Sequence, residues 1–418
     1  MNHWNKKSKL VQCMFVCGTL CVPASMSYAS GFRIPEASIA GLGTANALVA
    51  NHKDRGAMAY NPATMSFHTG SNLLAGLLAI DPNLSVKTAS GSHDSDGASP
   101  AFVPNMHFQR QVDTKWAYGV SLSAPFGLET KWKQGTFPNF GAVIPQLVAF
   151  EPKLSKIKMI NLNPNVAYKL QDNASLAFGV DYYHVDETAL NTQAVEVGGD
   201  GSGWGWNIAA LYALDAWSFG FSYRSSVEVD IDGDVAVSSG SSSASTKLEF
   251  PSMLQVGARY QTNQGLAVEF NIERTGWSSF DEIIIKHSNA AVSANPIVND
   301  NSWEDVNAFR VGLTYQLSQT TELRFGYTFD ENPQPDDNFS ARVPDADRQL
   351  FSVGAKHALP GLDLEWGLMY AVWDDRTINR STPFPASQTN LDANGTAAYN
   401  GDYESNAILA GIGIQKAF

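Results

Sequence analysis

Cysteine is nearly missing from this sequence. Cys13, Cys17 and Cys21 are the only three, and all lie in the first 21 residues. A chain trimmed of its leader therefore has no disulfide framework and no thiol nucleophile. Long apolar runs are missing too. Nothing beyond the leader approaches the roughly eighteen unbroken apolar residues of a spanning helix. Basic charge is scarce, with 28 Lys+Arg against 41 Asp+Glu and a formal net charge of −13. That balance excludes the basic face a nucleic-acid partner requires. Catalytic patterns are also absent. The eight histidines (His3, His52, His68, His93, His107, His184, His287 and His357) are scattered, and no G-x-S-x-G elbow occurs. "SHDSD" at 92–96 reads as a solvated acidic turn. We expect no catalytic residues, no metal site and no cofactor; an outer-membrane lipase would need a Ser/His pair with an orienting group.

The first strong feature that is present is an export signal. Lys6, Lys7 and Lys9 precede the apolar run Leu10–Val22, and Ser27 and Ala29 supply small residues before the exit. This is the pattern of a signal peptide, residues 1–29, cleaved after Ala29 with Ser30 as an alternative. Removing its three lysines and no acids takes the net charge from −13 to −16.

The second feature is alternation with period two. In "GLAVEFNIE", Leu266, Val268, Phe270 and Ile272 share one face while Ala267, Glu269, Asn271 and Glu273 share the other. "FRVGLTYQL" (309–317) and "WSFGFSYR" (217–224) repeat it with an aromatic-rich apolar face. Such segments are half-buried strands. Fourteen occur, near 71–80, 101–110, 115–124, 158–170, 174–185, 203–213, 216–231, 246–261, 265–275, 304–317, 321–330, 348–358, 361–373 and 406–418. Connections after even segments are tight, such as "QVDT" and "TNQ", whereas those after odd segments read as long loops. The expected fold is all-β: a 14-stranded antiparallel transmembrane β-barrel, 71–418, set in outer-membrane lipid of a bacterium as a monomer. The terminal Phe418 in register with Ile408, Ile412 and Ile414 suits that membrane. Residues 30–70 do not alternate, and a barrel this wide has an interior that wall side chains alone do not fill. The segment is therefore expected as an N-terminal plug inside the lumen, ending in "YNPATM" (60–65).

Several blocks resemble the FadL-like family, outer-membrane transporters of long-chain fatty acids and related hydrophobic compounds. They are "SGFRIPEASIAGLGTANA" at 30–47, the plug motif Asn61-Pro62-Ala63, "FVPNMHF" at 102–108, "APFGLETKW" at 124–132, "VEFNIERTGWSSFD" at 268–281 and "RVPDADRQLFSVGAKH" at 342–357. One departure is local: where the family often has two acids before the motif, this chain has Lys53-Asp54. The resemblance implies passive uptake. Substrate is caught among extracellular loops, passed to a lumen pocket, and released laterally through a gap near strand 3. The motif is then a rigid corner of the plug, read as bracing the open region of that strand.

The residues add to this reading. Pro125, Phe126 and Gly127 follow the third segment, where ladder pairing should fail and leave the lateral gap. The following loop carries Phe126, Trp132 and Phe140 among many apolar groups, a patch suited to binding an apolar ligand. Arg224, Arg259, Arg310 and Arg324 fall on lumen-facing positions, where a guanidinium fits a fatty carboxylate; the alternative is pairing with lumen acids such as Glu269 and Glu273. The resemblance puts Phe32 at the pocket, where its ring would sense an acyl chain. The expected partner is a long-chain fatty acid or other hydrophobic small molecule. Two alternatives stand beside it: uptake of hydrocarbons or aromatic compounds by the same fold, and a surface adhesin or receptor barrel with a sealed wall. A plug disfavours a general water-filled porin.

Overall fold

The period-two segments form one closed antiparallel barrel of fourteen strands in the computed structural model of the chain, which describes residues 31–96, 100–292, 294–385 and 391–418. The expected signal peptide, residues 1–29, lies outside the described residues. In chain order the strands are β1 Ser71–Thr88, β2 Ala101–Gln111, β3 Trp116–Ser123 resuming as Gly127–Lys131, β4 Pro152–Gln171, β5 Ala174–Thr192 and β6 Glu196–Leu214. β7 is Trp217–Arg224 resuming as Val227–Val237, β8 is Gly240–Phe250 resuming as Met253–Gln261, and β9 is Leu266–Thr275. β10 Val306–Gln316, β11 Thr321–Asp330, β12 Arg348–Leu359, β13 Leu362–Trp373 and β14 Gly401–Ala417 follow. Each strand pairs with the next, and β14 closes on β1 from Asn72↔Ala417 to Lys87↔Asp402. Closure leaves no sheet edge for lipid to cover at the seam between β14 and β1.

The outer face is apolar with aromatic rims. Trp116 stacks near Tyr168 (4.7 Å) and Trp217 near Tyr260 (4.8 Å) at the short-turn end, while Trp204 meets Tyr182 (4.6 Å) at the other. Two such girdles bound the lipid-facing band of an outer-membrane barrel, with short turns on the periplasmic side. Lys416 lies over the Phe418 ring at 5.2 Å.

Several strands run further than the alternation suggests. β6 starts at Glu196 rather than 203, and β4 at Pro152 rather than 158. The extra turns rise above the lipid band, where nothing selects an apolar outer face. For the same reason two outer connections are short: 193–195 after β5 and Ser238–Ser239 after β7. The expectation of long loops after every odd strand fails at these two places.

Within β7 the alternation changes phase. Trp217 and Phe219 are exposed and Ser218 and Ser222 buried, but beyond Ser225–Ser226 it is Val227, Val229 and Ile231 that are buried and Glu228, Asp230 and Asp232 that are exposed. The pairing with β6 gains one residue over the same interval, from Asn207↔Arg224 to Ser202↔Asp230, so β7 carries a bulge. β8 changes phase at the facing Pro251–Ser252, with Leu248 and Phe250 inward above it and Arg259 inward below.

Residues 31–70 lie inside the wall and are almost wholly buried. They form a short helix, Ile39–Gly43, capped by Ser38, and two 3-10 turns, Arg55–Ala59 and Pro62–Phe67, capped by Asp54 and Asn61. Glycines seat this segment: a Cβ on Gly326 would stand 2.2 Å from the carbonyl carbon of Thr44, and one on Gly220 would stand 2.0 Å from the Val49 oxygen.

Candidate functional site

The lower lumen, toward the short turns, is polar and filled by the N-terminal segment. Arg324 lies fully buried there, its Nη2 2.6 Å from Asp54 and 2.8 Å from Glu365, and its Nε 3.0 Å from Glu322. Arg310 lies 3.2 Å from Glu273, which Arg33 also meets; Arg259 lies 3.9 Å from Glu269; Arg224 meets Asp181. All four arginines singled out in the sequence thus face a lumen carboxylate. Backbone groups of the segment are tied down as well. Ala50 N donates to Glu269 (2.7 Å), and Ser218, Thr328 and Ser175 donate to the carbonyls of Ala50, Ala45 and Ala63.

Asn61 bonds in both directions. Its Oδ1 accepts from Ala63 N (3.0 Å), while its Nδ2 donates to Val49 O (2.7 Å) and to Ala210 O on β6 (3.0 Å). Pro62 and Ala63 open the turn that packs on the inner faces of β3 to β6. The side chain therefore anchors the segment to β6, not to the break in β3.

At that break the wall turns inward. β2 and β3 pair only from Gln111↔Ala117 to Met106↔Leu122, and Ala101–Asn105 pair on one side alone, with β1. Pro104, which has no N–H to offer, sits in this half-paired stretch. Pro125, Phe126 and Gly127 pair instead with the N-terminal segment: Ile34 N donates to Pro125 O (2.8 Å) and Gly127 N to Phe32 O (2.9 Å). Behind the break lies a cavity of about 580 Å³, open mouth included, lined by Ser123, Ala124, Pro125, Arg33 and Arg224 among others.

Above the break the lumen is apolar. Phe32, 1% exposed, sits at the centre of an aromatic box, with ring centroids of Trp277 at 4.8 Å, Phe280 at 5.3 Å, Trp303 at 5.8 Å, Phe126 at 6.0 Å and Phe250 at 6.3 Å. It floors a cavity of about 930 Å³, open mouth included, walled by Leu128, Ile157, Ile231, Leu248, Ile283 and Val343 with Lys156 and Arg342 at its margin. A second, outer groove among the loops, about 1310 Å³ with its opening, takes in Phe140, Phe150, Leu190 and Tyr399. Trp132 is not on either; it packs with Phe137 and donates its indole N–H to Ala341 O (2.8 Å).

Arg342 borders both the inner cavity and the outer groove. Its Nη1 donates to Ser155 Oγ (3.0 Å) and Asn191 O (3.3 Å), and burial lowers its basicity, offset by Tyr399 and Asp392 nearby. This residue went unselected from sequence, although it opens the quoted block "RVPDADRQLFSVGAKH". It lies in a loop without alternation, so no periodic signal aims it anywhere. The N-terminal segment is also held from this loop, where Gly31 N donates to Asp345 Oδ2 (2.9 Å). Burial pushes that carboxyl up to about 7.

A family model described as "Outer membrane protein transport protein (OMPP1/FadL/TodX)" matches residues 20–418. The chain is 25% identical over 453 residues to a long-chain fatty acid transport protein of Escherichia coli O6:H1, covering 94% of this chain and 96% of that protein. It is also 25% identical over 467 residues to outer membrane protein P1 of Haemophilus influenzae, covering 96% and 97%. In shape it is similar to the crystal structure of a Pseudomonas aeruginosa FadL homologue, with TM-score 0.78 and 18% identity over 93% of this chain and 100% of that one. The Ralstonia pickettii toluene transporter TbuX gives TM-score 0.67 and 16% identity over 91% and 99%. These shape matches speak to the fold.

Proposed function

The chain belongs to the OMPP1/FadL/TodX family of transport proteins of the bacterial outer membrane, which move hydrophobic compounds, and we propose that its own cargo is long-chain fatty acids. The observation that carries this reading is the apolar cavity on Phe32 with Arg342 at its margin. A carboxylate matches a guanidinium fork, and an acyl chain matches the aliphatic and aromatic wall. The four lower arginines are engaged with lumen acids and serve the N-terminal segment.

On this reading the acid is collected in the outer groove beside Phe140, crosses at Arg342 and settles on Phe32. Leaving requires the Phe32 ring to move. That shift strains the two bonds between residues 32–34 and the break in β3, and joins the inner cavity to the one behind Pro125. The half-paired stretch Ala101–Asn105 then offers the route into lipid. No energy source is invoked; the gradient drives passage.

A second reading, uptake of monoaromatic hydrocarbons, is favoured by the aromatic box around Phe32, which suits a flat ring. Growth separates the two. A strain lacking its own transporter should grow on oleate when it carries this gene, and Arg342→Leu should slow uptake of labelled oleate about tenfold while leaving toluene entry as it was. No growth on oleate with the unaltered gene sinks the fatty-acid reading.

A further inference from the structure

We propose that Asn299, Asn301 and Trp303 form a track of hydrogen-bond donors that guides the carboxylate of the ligand, head first, from the outer groove to Phe32. This inference rests on the fatty-acid reading above and adds the orientation of the ligand and the residues that select it over a hydrocarbon.

The three residues occupy alternate positions, Asn299 in the short strand Ile297–Asp300 and the other two in the loop that follows it, and all three border the inner cavity. Each carries an N–H that meets no acceptor among the described residues: Asn299 Nδ2, Asn301 Nδ2 and Trp303 Nε1. Asn301 is 7% exposed and Trp303 3%. A buried donor left without an acceptor costs about 1–3 kcal/mol, and native proteins rarely tolerate one without a reason. The orientation of the Asn301 amide is set by its other end, since Oδ1 accepts from Asn394 Nδ2 at 3.3 Å. Its Nδ2 is therefore the free end.

Charge on the same wall points to an anion. Among the described residues, Lys156 and Arg342 border this cavity and no Asp or Glu does, although Lys156 is itself paired with Glu187 (2.9 Å) and Glu129 (3.6 Å) behind the wall. Hydroxyls such as Ser155, Thr188 and Ser245 and the amides of Gln334 and Asn394 also line it, yet the lining side-chain atoms that are buried without a partner are these three N–H donors. A carboxylate supplies lone pairs to several donors at once. A hydrocarbon passing the same place leaves every donor unpaired, which is how a polar site rejects a ligand that lacks its partner atom.

Placement gives the direction. Asn299 borders the outer groove as well as the inner cavity. Asn301 follows, and the Trp303 ring lies 5.8 Å from Phe32. Donors therefore lead from the groove down to the aromatic floor. A head group that follows them arrives next to Phe32 with its tail trailing through the aliphatic wall. Arg33, the next residue, lines the cavity behind the β3 break.

The test is a titration of the full barrel in lipid nanodiscs with oleate and with octadecane, comparing the unaltered chain with Asn301→Leu, Trp303→Phe and the double variant. Trp303→Phe keeps a ring in the box and removes only the N–H. Heat-modifiable gel mobility reports that each barrel is folded. Each variant should bind oleate about tenfold more weakly, the double variant more weakly still, and octadecane as before, since a hydrogen bond to a charged group contributes about 1.5–3 kcal/mol and 1.4 kcal/mol is tenfold. Equal losses for both ligands, or no loss of oleate affinity, overturn the track while leaving fatty-acid transport standing. Failure of the unaltered chain to bind oleate at all overturns the transport reading first.

Discussion

The lower and upper parts of this barrel are built largely from the same strands and are opposite in pattern. Below the bulge of β7 the wall is apolar outside and polar inside, because lipid lies on one side and the N-terminal segment on the other. Above it, Glu228, Asp230 and Asp232 face out and Val227, Val229 and Ile231 face in. The lower part is held by directional bonds among buried charges, the upper by close packing of rings and branched chains. The difference separates two tasks. Bonds with one geometry hold the N-terminal segment to the wall. A packed apolar surface has no single geometry to satisfy and can yield to an acyl chain.

The largest effect is expected from inverting the upper pattern at one point. Ile231→Asp puts a carboxylate on the wall of the inner cavity, where it meets any incoming acid. Burying it unpaired is costly, so oleate affinity should drop on the order of 100-fold, about 2.7 kcal/mol, whereas Asp230→Val on the outer face should leave binding as it is. Comparable losses from both would end the distinction between the faces. In the lower part, Arg324→Met leaves Asp54, Glu322 and Glu365 together with Lys356 as the one cation near them, 3.7 Å from Asp54 and 3.8 Å from Glu322. Breaking a buried ion network in this way costs about 3–5 kcal/mol. The barrel should persist on gels while the N-terminal segment loses hydrogen-exchange protection and single-channel current rises.

The barrel was legible in the sequence because lipid enforces alternation. "GLAVEFNIE" has one possible outer face, and β9 lies where that face predicts. Strand ends were less legible where lipid stops selecting, as in the Gly-rich start of β6. The phase change was hidden for a related reason: a count that runs through Ser225–Ser226 treats 216–231 as one strand, and nothing in two serines announces a bulge. The site divides along the same line. Phe126 and Phe140 could be picked as apolar groups on a loop and Phe32 through the family resemblance, and the structure puts Phe32 and Phe126 in one box and Phe140 on the outer groove. The four arginines were visible as lumen-facing, but which carboxylate each meets depends on strand register, and for Arg324 also on the fold of 31–70, which supplies Asp54. Arg342, Asn301 and Trp303 lie in loops, where no period assigns a direction.

Acid provides a gentler way to tell the two parts apart. Burial holds the imidazoles of His52 and His68, both in the N-terminal segment, down at about 4; cations add to the effect at His52, whereas Asp54 partly opposes it at His68. Released from the barrel, these rings would return to their ordinary value of about 6.5. The released state then binds more protons than the seated one between those two values, so seating is fully favoured above about pH 6.5 and weakens as pH falls toward about 4. The packed upper box lacks such a group: Phe32, Phe126, Phe250, Trp277, Phe280 and Trp303 do not titrate in that range. Hydrogen exchange on the barrel in nanodiscs at pH 7 and at pH 4.5 should therefore show the segment around 50–70 opening in acid while residues 227–231 and 248–250 stay protected. Substituting both histidines by glutamine should flatten the response of the segment, since the amide keeps a polar side chain without the proton. Equal loosening of both regions at pH 4.5, or a response that survives the double substitution, would place the acid sensitivity elsewhere and remove the plug histidines from its cause.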